Sequence, residues 1–281
     1  MLPRDIWIIA RFEVWRHLSS RHGVLGLVLL VLASGVLGYQ IGGYTEEVDA
    51  LVDQAHPALV VGGGMLQSMT ELPLDRLLEV LDAHPPMLVM LFAGLLSMVP
   101  IATYVFAFDQ TASEIETRHA RFLLFRSERD AIYLGKALGA YLMVAGALTI
   151  ATALLAAFIL ARSATFAPVT DTLYVGRAWL TCLATAIPYV AFLGLVGAVV
   201  GKSRRVLSVA VFFWIGLGIV GGAISHWRPE LDVTPYLFPS VARFHLLTDS
   251  FSMALPTLVH LVLFSVACVG LGLWRFRRRD L

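Results

Sequence analysis

The side chains best equipped for chemistry crowd into one stretch, residues 109–136, which reads DQTASEIETRHARFLLFRSERDAIYLGK. Ser113 and Glu116 have the Ser-x-x-Glu spacing of a capping box, in which each side chain accepts from a backbone N–H of the first helical turn. That spacing predicts a helix starting at Ser113. Glu114 and Arg118 then stand four apart, acid before base, which is the favourable order along a helix. Further along, charged residues flank the apolar run Phe122-Leu123-Leu124-Phe125. A helix of this kind offers charge outward. It reads either as a docking surface for a soluble protein or as a solvated loop that carries positive charge for topological reasons alone.

Other motifs that carry chemistry elsewhere fail on context. Gly201-Lys202-Ser203 resembles the end of a phosphate-binding loop, but that pattern needs glycine five positions earlier, where Val196 stands. The chain therefore lacks this machinery for binding ATP. Gly216-x-Gly218-x-x-Gly221 has dinucleotide-site spacing but lies inside an apolar run rather than between a strand and a helix. Helix packing is the better reading for Gly218, Gly221 and Gly222, and also for Gly194, Gly197 and Gly201, because small residues let spanning helices approach closely. Ser34 and His260 lack the surroundings of an intramembrane protease. His56, His84, His226 and His245 show no ligand spacing. Cys182 and Cys268 sit inside apolar runs with no zinc spacing. No catalytic residue, metal ligand or bound cofactor is expected.

The elements that position the 109–136 stretch follow from hydropathy. Of 281 residues, 58% are hydrophobic and 15% charged, and the mean hydropathy is +0.78. Soluble domains carry roughly 25% charged residues. Six segments reach the roughly 20 apolar residues that a spanning helix needs: about 23–41, 87–108, 137–161, 178–200, 206–225 and 256–274. None contains Asp, Glu, Lys or Arg. The fold class is therefore an all-α integral membrane protein, one domain over 1–281, with six transmembrane helices. Residues 1–22 form an interfacial helix on which Trp7, Val14, Leu18 and Arg11 share a face.

Basic residues concentrate in alternate loops: before the first span, in 109–136, around Lys202, Arg204 and Arg205, and in the tail from Arg275 to Arg279. Short loops rich in Lys and Arg stay cytoplasmic. Both termini are thus expected inside, in a bacterial cytoplasmic (inner) membrane. The outer loop 42–86 is acidic. Within it Leu74, Leu77, Leu78 and Leu81, between Pro73 and Pro85-Pro86, predict a short amphipathic helix. That loop could hold a periplasmic partner, collect cations or simply be solvated. Nothing points to nucleic acid. Spans without ionisable groups disfavour an ion-coupled transporter and favour a component energised by another protein.

The 109–136 stretch also resembles the loop between the second and third spans of the type 2 ATP-binding cassette (ABC) transporter permeases. The likeness rests on Glu114 and Glu116, Leu123-Leu124, Arg129, Ile132 and Gly135-Lys136. It departs at Arg118-His119 and at Arg126-Ser127, where that family has Gly-Thr and proline. Ile9-Ala10-Arg11-Phe12-Glu13 resembles the family's membrane-surface helix, and Phe238-Pro239 with Leu246-Leu247 its proline-centred segment before the last span. The resemblance implies a permease subunit of an exporter that pairs with a second copy or a homologue. Two copies of a soluble ABC ATPase, holding ATP and Mg, would supply the energy. It implies that Arg4, Arg11 and Glu13 of the surface helix, with Asp109, Glu114, Glu116, Arg118, Arg121, Arg126 and Arg129 of a coupling loop, contact that ATPase, and that lipid surrounds the spans. The rival classes are a membrane scaffold or sensor working through its acidic outer loop, and an ATP-independent channel or uniporter.

Overall fold

The computed structural model describes residues 2–52, 80, 83–116, 127–162, 167–228, 246 and 251–279. Among them the regular elements are all helices: α1 (Leu2–Ser19), α2 (Arg21–Val52), α3 (Pro86–Ala107), α4 (Ala112–Glu116), α5 (Arg129–Arg162), α6 (Thr170–Val200), α7 (Ser203–Trp227) and α8 (Phe251–Arg277). Six of these stretches are long and apolar enough to cross a membrane. The chain is an all-α, multi-pass integral membrane protein. The expected outer helix around 73–81 and the segment at 238–239 lie outside the described residues, as do Arg118, Arg121 and Arg126.

Several helices outrun their apolar windows. The 34 residues of α5 run about 51 Å at 1.5 Å per residue, against about 30 Å for a hydrocarbon core. Helix α5 starts eight residues before the apolar window at 137, and α6 eight before the window at 178. Those extra turns carry polar side chains beyond the lipid. Lys136 sits on one of them, two turns into α5.

The core lies between α3, α5 and α6, where Phe92, Leu95, Leu96, Leu148 and Leu193 are fully or almost fully buried. Helix α2 lies against α3 and α5, α8 against α6, and α7 mainly against α6. In the spanning window of α7 only 11% of residues are buried, and Phe212 and Ile219 stand about 70% exposed. In water, such surface is worth roughly 25 cal/mol per Å² on burial. Lipid-facing helices have no such driving force.

Helix α1 lies outside this bundle and packs on the start of α5. Gly135 and Gly139, one turn apart, form the seat: a Cβ at Gly139 would stand 2.6 Å from the Glu13 Cβ and 2.9 Å from the Ala10 carbonyl. A Cβ at Gly135 would stand 2.8 Å from the Ile9 Cβ. The opposite face of α1 exposes Trp7, Ile8, Phe12, Trp15 and Leu18, together with Arg4 and Arg11. Val14, expected on that face, packs instead against the core. Aromatic side chains beside arginine suit the headgroup layer.

Candidate functional site

Where α1 meets α4 and α5, six ionisable side chains come together. Lys136 of α5 lies at the centre, 2% exposed. Its Nζ donates to Glu13 Oε2 of α1 at 2.8 Å and to Glu114 Oε1 of α4 at 2.6 Å. Glu13 is 0% exposed and Glu114 9%. Arg16, one turn beyond Glu13, donates to Glu13 Oε1. Its guanidinium stands 3.9 Å from both Asp109 and Glu114. His17 places Nδ1 3.1 Å from the Glu13 carbonyl oxygen and Nε2 3.6 Å from Asp109 Oδ1. A charge taken out of water costs several kcal/mol unless it is paired, so each buried member here obliges the others to stay.

Local structure explains the convergence. Glu13, Arg16 and His17 occupy one face of α1 because residues three and four apart align on a helix. Ser20 turns the chain: its Oγ donates to the His17 carbonyl at 2.9 Å and accepts from Gly23 N–H at 3.0 Å, capping α2. At the end of α3, Gln110 donates to the Val190 carbonyl of α6 at 2.8 Å. The following turn rests on α6, where a Cβ at Gly194 would lie 3.0 Å from Gln110 Nε2 and one at Gly197 3.3 Å from Thr111. Gly197 thus admits the α3–α4 turn, and Gly194 admits both that turn and Tyr133 of α5, whose hydroxyl would also stand 3.0 Å from a Cβ there.

The other charged ends at this face bind helix termini. Glu116 accepts from Ser203 N–H at 2.9 Å, in the first turn of α7, where a carboxylate meets the positive end of the helix dipole. Arg279 donates to the Ala198 and Val199 carbonyls at the end of α6. Arg129 donates to the carbonyls of Arg277 and Arg279, and Arg277 pairs with Asp130. Gly201, at φ +66°, is the left-handed terminus of α6, a conformation glycine adopts without penalty. Gly218 and Gly222 are exposed, Gly222 faces open space, and Gly221 is buried.

Several expected contacts take other roles. Glu13 and Glu114 face inward and are held by Lys136, because a buried carboxylate needs a cation. The helix begins at Ala112, one residue before Ser113, whose Oγ donates to the Asp109 carbonyl at 2.9 Å and accepts from Arg16 at 3.4 Å. The chain leaves α3 through a continuous turn, so the backbone around Ser113 is already coiled. Arg4 and Arg11 are exposed. The roles of Arg16 and His17 were not foreseen. The Glu13-x-x-Arg16-His17 spacing was the available signal for them.

At the far end of the bundle a second pair joins loop to helix. His84, just before α3, places Nδ1 2.8 Å from Asp171 Oδ1 of α6 and lies against Tyr174, the rings tilted by 41° with centroids 4.4 Å apart. Asp171 also accepts from Ala167 N–H at 2.7 Å.

Residues 69–281 match the family described as "Protein of unknown function (DUF2705)". The chain belongs to the DUF2705 family. In this DUF2705 chain the match covers α3 to α8, including Lys136, Glu114 and Asp109, whereas α1 precedes it. No curated protein matches the sequence.

Proposed function

We propose that the chain is the membrane-spanning subunit of an ABC exporter in a bacterial inner membrane. A separate ATPase drives it from the side that carries both termini. The observation that supports this most is the buried Glu13–Lys136–Glu114 set, which ties the surface helix α1 to α4 and to the start of α5. Glu114 lies two residues before the end of α4, and residues 117–128 connect α4 to α5 in the sequence. A push on α1 or on this connection would therefore be delivered to α3 and α5 together, as a rigid-body displacement of the bundle. In this reading two permease copies, identical or homologous, pair with two ATPases that hold ATP and Mg. Docking falls to Arg4, Arg11 and the 117–128 connection, while Glu13 and Glu114 transmit.

The test is purification of the tagged full chain from its native membrane. An ABC ATPase is expected to accompany it, and the combined substitution Arg4→Glu, Arg11→Glu and Arg121→Glu is expected to lower its recovery at least tenfold. Unchanged recovery of the ATPase with that variant would overturn the docking assignment. Cargo movement by the isolated chain in liposomes without ATP would overturn the function and favour a channel. A chain that brings no ATPase, with activity residing in 42–86, would leave the scaffold class.

A further inference from the structure

The charge knot at the foot of α1 balances only in one protonation state. Its acids are Glu13, Asp109 and Glu114, and its fixed cations are Arg16 and Lys136. The sixth member is His17. With a neutral imidazole the set carries one uncompensated negative charge; with an imidazolium it is neutral. Hydrogen-bond chemistry gives the same answer independently. Nδ1 faces the Glu13 carbonyl oxygen at 3.1 Å and Nε2 faces Asp109 Oδ1 at 3.6 Å. A neutral imidazole has one N–H and one bare lone pair, whereas both nitrogens donate in the charged form. The imidazolium alone both donates to the Glu13 carbonyl and sets a positive charge against the Asp109 carboxylate, 3.6 Å away.

We propose that His17 is a proton-operated latch that holds the surface helix α1 to the end of α3, closed when protonated and loosened when neutral.

The groups facing His17 come from every element around it: Glu13 and Arg16 on α1, Asp109 after α3, Glu114 on α4 and, across the acids, Lys136 on α5. Arg21, at the start of α2, is exposed. Burial by itself pulls the imidazole pKa down. The Asp109 carboxylate and the Glu13 carbonyl and carboxylate outweigh it, so the net displacement is upward from 6.5. A raised pKa in the folded state means that the contribution to stability is fully present below the unfolded value. It is lost as pH rises through the folded one. The window thus opens above about 6.5, near the ordinary pH of a cytoplasm. A cavity of about 110 Å³ beside the ring, lined by Arg16, His17, Asp109, Val105 and Phe108, gives water and protons access. This inference does not depend on an ATPase partner.

The experiment is hydrogen exchange of the full chain in lipid nanodiscs between pH 6 and 8.5, corrected for the intrinsic pH dependence of exchange. Amides of residues 9–19 are expected to lose protection about tenfold across that range, while those of α6 stay constant. His17→Gln is expected to abolish the step. Asp109→Asn leaves two acids against two fixed cations, and it is expected to abolish or lower the step even if His17→Gln fails to fold. A flat wild-type profile, a step of undiminished size in Asp109→Asn, or any step in a folded His17→Gln would overturn the latch.

Discussion

The two ends of this bundle are held by different means. At one end Lys136, Glu13, Glu114, Arg16, His17 and Asp109 join three elements. Glu116 ties α4 to α7, and Arg129 and Arg279 tie the end of α8 to the ends of α5 and α6. At the far end the described ion pairing is His84 with Asp171, backed by the Tyr174 ring. A buried ionic knot is damaged badly by the loss of one member, yet it adds little net stability over an apolar core. What it supplies is geometric: α1 can occupy only one place on α5. Among the described residues, the contrast is between an end held by a shared buried knot and an end where the His84–Asp171 pair joins a loop to a helix.

The sharpest way to break the contrast is Lys136→Met. It strands Glu13 and Glu114 without their shared cation, and loss of one partner of a buried pair costs roughly 3–5 kcal/mol. Reversible unfolding in mixed micelles should show that loss. Adding Glu13→Gln and Glu114→Gln should recover most of it, since no unpaired charge remains. If Lys136→Met unfolds like the wild type, the knot is not what holds α1.

A smaller effect is expected at the seat of α1. Gly139→Leu inserts a side chain where a Cβ already stands 2.6 Å from Glu13. Overpacking of this kind costs about 1–3 kcal/mol. Gly222→Leu on α7, where nothing lies within 4 Å, should cost less than about 0.5 kcal/mol. Equal losses for the two variants would show that the α1–α5 seam is not specific.

A smaller loss than at Lys136 or Gly139 is expected at the far end. Asp171→Ala removes the partner of His84 and of Ala167 N–H. Leaving such groups unpaired costs about 1–3 kcal/mol, and the partial exposure of His84 places this variant near the lower figure. A loss as large as that of Lys136→Met would erase the distinction between the ends.

How much of this was legible depends on the range of the signal. Apolar windows mark the six spans, but the third window begins only at 137, after charged Lys136. The helix continues to Arg129, and Lys136 is buried by α1 rather than by lipid. The Ser113–Glu116 spacing marks a helix that begins one residue earlier, at Ala112, because the chain arrives from α3 already turning. The glycine pair at 135 and 139 carried the small-residue spacing of a close helix contact, yet nothing local says which helix approaches.

The sequence by itself determined the class of the protein. Hydropathy and charge density are properties of consecutive residues, and a bilayer reads them segment by segment. It also placed Glu13, Arg16 and His17 on one stripe of α1, because helical periodicity is local. Only the tertiary structure decided that this stripe meets Lys136, 123 residues away from Glu13, and that Glu13 and Glu114 turn inward. The reason is energetic: a carboxylate left by itself gives no clue to its partner, and burial compels the pairing only once the helices have come together.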